Sequence, residues 1–285
     1  MTEVSLKPAA AAFEPAPACL VVMHPGAIAL DSYEPLRARL AARFSTIVFD
    51  IQKVPEYRES VITGSAVDVS LAEIALRFKE RSLHEVADVP YAVLGWSFGG
   101  VVACALAEAM PADRKPRGVF VLDTIAPGNG SSFGDTLPDR EALDWFAMYF
   151  GANRGRDLKL SPADFTGVSL EDGLGLVLDR SIATGALTPG TTVHGLRKVF
   201  TAFVDGMRRN KQLHDAYHPD RFQVPITLVR PSRGLFDELA SLGWDEVAKD
   251  EIHTLHCGGD HYTMLRDEQS VEAIARAVEA TVLGG

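Results

Sequence analysis

The sequence predicts an α/β fold with a mostly parallel central sheet, helices on both of its faces and one helical insertion. Three observations carry this. Six apolar, strand-like runs recur along the 285 residues, amphipathic helical stretches lie between most of them, and one long segment, about 128–222, holds helical patterns but no convincing strand. Near-continuous apolar strands separated by helices belong to parallel sheets covered on both sides. A long connection without strands inside such a sheet is usually functional, and here it reads as a lid. A chain of this length with 47% hydrophobic residues can bury a large core.

The elements follow in order. Residues 1–18, MTEVSLKPAAAAFEPAPA, are an Ala/Pro-rich lead with the composition of a tether, and one folded domain is expected over 19–285. The strand candidates are CLVVMHP (19–25), STIVFDI (45–51), YAVLGW (91–96), GVFVLDTI (118–125), ITLVRP (226–231) and IHTLHCGG (252–259). YEPLRARLAARF, VSLAEIALRFKERSL and the closing SVEAIARAVEATVL repeat apolar residues at intervals of three and four, the period of a helix with one buried face. Within the insertion, DREALDWFAMYF, SLEDGLGLVLDR and VHGLRKVFTAFVDGMRRNKQL have the same period. The last of these sets Val193, Leu196, Val199, Phe200 and Phe203 near one face, with Arg197, Lys198, Arg208, Arg209 and Lys211 largely elsewhere.

Charge and cysteine usage narrow the function classes. A net charge of −10 argues against a nucleic-acid surface, which needs clustered Lys and Arg, and favours solubility. The cysteines, Cys19, Cys104 and Cys257, are odd in number and sit in apolar runs, so they read as reduced core residues in a cytoplasmic protein. No apolar run reaches the roughly 18 residues that span a bilayer, and no signal-peptide pattern opens the chain. No phosphate-binding loop and no zinc-spaced Cys/His cluster is present, so neither a cofactor nor a metal is expected.

Chemistry concentrates at Gly95-Trp96-Ser97-Phe98-Gly99, a G-x-S-x-G run with a strand before it and the helix GGVVACALAEAM after it. That context is a nucleophile elbow: a sharp turn lifts the serine hydroxyl clear of the sheet, and glycine stands where neighbouring backbone leaves no room for a Cβ. A serine needs a base, and the base needs an orienting group. His261, in GGDHYTML, follows the last strand, where the final member of a Ser…Asp…His order belongs. His84, His194, His214, His218, His253 and His256 read as surface or packing residues, and His24, in MHPGA, as shaping its loop. Two acids compete on spacing alone: Asp123 ends the strand after the nucleophile helix, and Asp237 follows the next strand. Asp260 adjoins His261 but faces the wrong way to orient it.

Taken together, LGWSFGG, VFVLDTIAP and GGDHYTML resemble the chain-terminating thioesterase domains of modular polyketide synthases and nonribosomal peptide synthetases, members of the α/β-hydrolase superfamily. The resemblance runs from about residue 19 to the C-terminus and includes MHPGAIALDSYEPL, similar to that family's first strand and oxyanion loop. It implies Ser97 as nucleophile, His261 as base and, because the family's acid follows the strand after the nucleophile helix, Asp123 as acid. It also implies an oxyanion hole from the backbone N–H of Phe98 and of a residue in the 25–28 loop, Ala27. That loop, Pro25-Gly26-Ala27-Ile28, is less glycine-rich than in many relatives. The helix over 191–213 has two readings: a packed helix with a solvated basic face, or, since a net charge of −10 would repel an acidic carrier, one in which Val199, Phe200 and Phe203 line the substrate channel under the lid and the basic residues receive that carrier. The implied reaction takes an acyl or peptidyl chain from the phosphopantetheine thioester of a carrier protein onto Ser97, then releases it by hydrolysis or macrocyclisation. The expected partners are the carrier protein and the small-molecule acyl chain, with room for a homodimer and none for nucleic acid or membrane insertion. Two other readings stay open: a general carboxylester hydrolase of small molecules, and a binding module of the same fold without chemistry.

Overall fold

Six parallel strands build one sheet in a computed structural model that describes residues 17–86, 88–128 and 137–284. They are β1 (Ala18–His24), β2 (Phe44–Asp50), β3 (Tyr91–Trp96), β4 (Val119–Leu122), β5 (Ile226–Arg230) and β6 (His253–His256), ordered β2-β1-β3-β4-β5-β6. Every neighbouring pair is parallel. The central strands β1, β3 and β4 are buried along their whole length. The edge strand β6 is short and half-exposed, and both of its histidines, His253 and His256, are open to solvent. Most of the Ala/Pro-rich lead lies outside the described residues; β1 begins at Ala18, the lead's last residue.

Helices connect the strands: α1 (Glu34–Leu40), α2 (Pro55–Thr63), α3 (Leu71–Val86), α4 (Phe98–Ala109), α5 (Asp139–Ala152), α6 (Leu170–Ala183), α7 (Val193–Asp215), the short α8 (Trp244–Val247) and α9 (Glu268–Leu283). Two pairs form against the sheet, α1 with α9 and α3 with α4, and β3 touches both α4 and α9. That double cover explains why YAVLGW reads as a continuous apolar run rather than an alternating one. The α4 helix is apolar almost all round, as its central position requires.

Between β4 and β5 the chain leaves the sheet for α5, α6 and α7, with residues 129–136 outside the described ones. Side-chain caps start two of these helices: Ser169 accepts from the Asp172 N–H (3.2 Å) and Thr192 from the Gly195 N–H (3.3 Å). The three helices share a core of their own, centred on Leu143, Phe146, Phe150, Phe165, Leu174 and Phe200. The insertion is therefore a self-packed layer and not a loose loop. Its longest helix, α7, lies against α4 and so over the turn that precedes α4.

Close packing at that turn explains its glycines. A Cβ on Gly95 would fall on the Gly99 carbonyl, and one on Gly99 would fall on the Met23 carbonyl of β1. Gly175, within α6, has open space where its Cβ would stand. Gly99→Ala is accordingly expected to destabilise the protein by on the order of 3 kcal/mol, an overpacking cost, and Gly175→Ala to stabilise it by ~0.5–1 kcal/mol. Urea unfolding of the two variants checks this; equal effects would contradict the close approach of α4 to β1.

Candidate active site

Ser97 sits between β3 and α4 with φ 54° and ψ −134°, a conformation that L-residues rarely hold without support. The support is visible on both sides. The Ser97 N–H donates to the Leu122 carbonyl (2.9 Å), its own carbonyl accepts from the Gly100 N–H (2.9 Å) and from the Thr124 hydroxyl (2.7 Å), and a Cβ on Gly100 would collide with Thr124. The Ser97 hydroxyl makes no cap to the helix, so its oxygen is free of structural duty. Phe98 opens α4, and the N–H groups of a first helical turn have no intrahelical acceptor.

Asp123 follows β4 directly and is also in the left-handed region, with φ 45°. Its N–H donates to the Val229 carbonyl (2.8 Å), extending the β4–β5 ladder by one residue. That strained step sends the carboxylate across to His261: Nδ1 of His261 lies 2.7 Å from Asp123 Oδ2, and both side chains are 1% exposed. The His261 loop reaches this position by pairing with the loop after β5. A parallel bridge joins Arg233 to Asp260, and the His261 N–H donates to the Arg233 carbonyl (2.9 Å). Trp96 fixes the loop from below, its indole N–H donating to the His261 carbonyl (2.6 Å), and its ring packs 4.7 Å from the imidazole. With Nδ1 engaged, Nε2 of His261 is buried and has no partner among the described residues, so the hydrogen bond from the Ser97 hydroxyl is not made in this structure. Catalytic hydrogen bonds of this type are commonly long before substrate binds.

The competing acids are occupied elsewhere. Asp237 accepts from the Gly234 N–H (2.7 Å), is more than half exposed and lines an outer groove beside β6 with Arg221, Asp245 and Lys249, while Asp260 accepts the N–H groups of Tyr262 and Thr263 (both 2.9 Å). His24 is buried at the end of β1 beside Tyr33 (3.5 Å), and burial pulls its imidazole below the usual value against the influence of Asp50. His84, His194 and His218 are exposed; His214 is buried and bonds the Ala126 carbonyl (3.1 Å).

Two cavities meet at Ser97. One, of about 220 Å³, runs between the 25–27 loop, Gln52, Tyr57 and the lid helix α7; a smaller apolar one, of about 80 Å³, lies toward Val101, Ile125 and Leu235. Met207 and Asn210 of α7 line both. Of the lid residues expected in the channel, Val199 and Phe203 line the larger cavity. Phe200 does not: it is buried in the insertion's own core, edge-on to Phe146 (5.3 Å). One helical face therefore serves two neighbours, and residues spaced at three and four divide between them. Ala27 lines the same cavity as Ser97, in a loop braced by the Gln52 side-chain amide, which donates to the Gly26 carbonyl (2.8 Å).

Some residues of this site escaped the sequence reading. Arg230, at the end of β5, is 6% exposed and donates to the carbonyls of Phe236 (3.2 Å), Ala240 (3.1 Å) and Leu239, with Nε 3.8 Å from Asp123 Oδ1. It compensates the buried carboxylate from behind. The available signal was an arginine closing an otherwise apolar strand, ITLVR. Arg233 likewise joins the lid to the histidine loop, donating to the Leu160 carbonyl (2.9 Å) and pairing with Asp144 of α5.

Residues 18–282 match the thioesterase domain family, and the chain belongs to that family. It is similar to a four-domain nonribosomal peptide synthetase solved with AMP and glycine (21% identity, TM-score 0.60, covering 93% of this chain and 19% of that one). The chain thus spans about a fifth of that protein. It is also similar, across nearly the full length of both chains, to the NocB thioesterase domain from the nocardicin cluster (19% identity, TM-score 0.55, 95% and 96% covered). The RedJ thioesterase from the prodiginine biosynthetic pathway of Streptomyces coelicolor is similar to the same extent (18% identity, TM-score 0.55, 97% of each). These likenesses define the fold as that of the α/β-hydrolases. No helix among the described residues is long and apolar enough to cross a membrane.

Two expectations follow from the geometry. A strained left-handed residue costs on the order of 1–3 kcal/mol, whereas glycine loses ~0.5–1 kcal/mol more chain entropy on folding. Ser97→Gly is therefore expected to raise the unfolding midpoint by a few degrees in a thermal melt, and a lower midpoint would show the turn to be unstrained. The second concerns Asp144, which burial pushes up to about 6 against the pull of Arg233 and Arg140. A carboxyl raised on folding holds its proton longer in the folded chain, so its contribution to stability falls as pH rises from about 4 to about 6. The stability of the wild type relative to Asp144→Asn should decline across that window in urea titrations; a relative gain would contradict it.

Proposed function

We propose that this protein releases an acyl or peptidyl chain from the phosphopantetheine thioester of a carrier protein, through an acyl-enzyme on Ser97, in polyketide or nonribosomal peptide biosynthesis. The observation that carries the reading is the buried Asp123–His261 pair (2.7 Å) beside a strained serine at the meeting of two cavities under a helical lid. Ser97 Oγ attacks the thioester carbonyl while His261 Nε2 takes its proton; the carbon–sulfur bond then breaks, and the pantetheine thiol leaves with that proton. Water, or a hydroxyl or amine of the chain itself, next attacks the ester with His261 again as base, returning the proton to Ser97. Asp123 holds the imidazole in the tautomer that leaves Nε2 facing its task and stabilises the imidazolium that forms. The chemistry asks for no metal or cofactor. The folded domain of the proposal is 19–285, with the lid over about 128–222; a homodimer and a cytoplasmic site remain part of it.

The oxyanion is assigned to the N–H groups of Phe98 and Ala27. Every described peptide is trans, so the N–H of Ala27 points opposite to the Gly26 carbonyl that Gln52 holds. Gln52 thus aims that N–H away from itself. A carrier-delivered substrate separates this function from that of a general esterase: equal turnover of a free ester and of a carrier-bound thioester would favour the latter.

Asp123→Asn is expected to lower kcat on the order of 10⁴-fold, by the tautomer and charge argument for a serine triad, with Asp237→Asn close to wild type. Steady-state kinetics on a carrier-bound thioester decides, and the reverse pattern would move the acid to Asp237.

A further inference from the structure

Of the basic residues on α7, three are paired: Arg197 with Glu171, Arg208 with Asp205 (2.9 Å) and Lys211 with Asp215. Lys198 is exposed on the surface. Arg209 differs from all of these. It is half-buried, has no carboxylate within 4.0 Å among the described residues, and its Nε is buried without a hydrogen-bond partner. It lines the cavity of about 220 Å³ that also holds Ser97. A partly desolvated guanidinium without a counter-charge is unfavourable, and more so to leave standing in a chain whose net charge of −10 offers 38 carboxylates.

The surroundings are donors and neutral groups. The Tyr57 hydroxyl donates to Asn210 Oδ1 (2.7 Å), and the charge of Arg209 and its hydrogen bond to Tyr57 work against the burial that pushes this hydroxyl up, so the guanidinium has a neutral partner but no counter-charge. Asn210 keeps its amide N–H₂ for other acceptors. Asp50, whose charge also acts on Tyr57, accepts the Gln52 N–H (2.9 Å) at the turn after β2 and forms no ion pair with Arg209. The planar fork of arginine suits two-oxygen anions.

We propose that Arg209, with the Asn210 amide N–H₂ that the Tyr57 hydroxyl orients, is a receptor for an oxyanion carried by the substrate, either the phosphate of the pantetheine arm or a carboxylate on the acyl chain. Bound there, the anion supplies the missing counter-charge and sets the reach of the thioester to Ser97. The inference deepens the thioesterase reading and rests on it.

The test reads binding, which needs no turnover. Wild type, Arg209→Met and Arg209→Lys are titrated calorimetrically with 4′-phosphopantetheine and pantetheine, and with the octanedioic and octanoic acid monoamides of aminopantetheine, in which an amine replaces the thiol. The wild type is expected to bind one anionic member at least tenfold tighter than its neutral counterpart; Arg209→Met loses that preference and Arg209→Lys retains part of it. A preference in the first pair assigns the phosphate, one in the second the carboxylate. Equal binding within both pairs, or a preference that survives Arg209→Met, overturns the proposal. Should Arg209→Met not fold, Arg209→Gln takes its place in the same titrations. Failure of the wild type to hydrolyse octanoyl-pantetheine or any carrier-bound thioester would instead count against the thioesterase reading, whatever these titrations give.

Discussion

The hydrogen bond between Asp123 and His261 organises the rest of the site. A carboxylate 1% exposed needs compensation, and the fold supplies it from three directions: the imidazole in front, Arg230 behind, and the Leu235 N–H (3.3 Å) at the side. Those groups come from two segments, β5 with the loop that follows it and the loop after β6, so the pair cannot form until β4, β5 and the loop after β6 are in register. The left-handed step at Asp123 and the Arg233–Asp260 bridge are consequences of the same demand. Both turn backbone that would otherwise continue along the sheet toward one point at the carboxyl ends of the strands, where open parallel sheets place their ligands.

Strain at Ser97 belongs to the same arrangement. Three contacts that exclude a Cβ, at Gly95, Gly99 and Gly100, bring β1, β3, α4 and Thr124 close enough to hold a serine in a conformation it would not adopt alone. The result is a hydroxyl with no structural hydrogen bond, an adjacent helix N-terminus, and a buried imidazole whose Nε2 is uncommitted. The lid completes the enclosure. Because α5, α6 and α7 pack on one another and Leu213, Phe203 and Met207 also join α7 to the core of the sheet, α7 presents Met207, Arg209 and Asn210 to the cavity from a fixed position.

Local pattern made much of this legible in the sequence. All six strand candidates correspond to strands, because a sheet covered on both faces writes continuous apolar runs, and the turn that holds Ser97 was readable because G-x-S-x-G stood between a strand and a helix. Spacing could not choose between Asp123 and Asp237; what puts Asp123, and not Asp237, beside His261 is a strained residue at the end of β4, invisible in a string of letters. Phe200 went to the lid core and not to the channel because helical periodicity defines a face but not which of two neighbours covers each part of it. Arg230 and Gln52 act through backbone carbonyls in loops, at Leu239 and Gly26, and such partners leave no periodic trace. That Arg209 has no carboxylate partner among the described residues was equally hidden, since the sequence showed only a basic cluster whose other members turn out to be paired or exposed.

The central claim is that the acyl chain passes through a covalent ester on Ser97. Its most direct measurement is the mass of the protein quenched shortly after mixing with an acylated carrier, followed by peptide mapping of any adduct. The account predicts the mass of the acyl group on the peptide that contains Ser97, appearing before product accumulates and absent in Ser97→Ala. Turnover of the carrier thioester with no adduct on Ser97, or with the adduct on another residue such as Cys257, would contradict it.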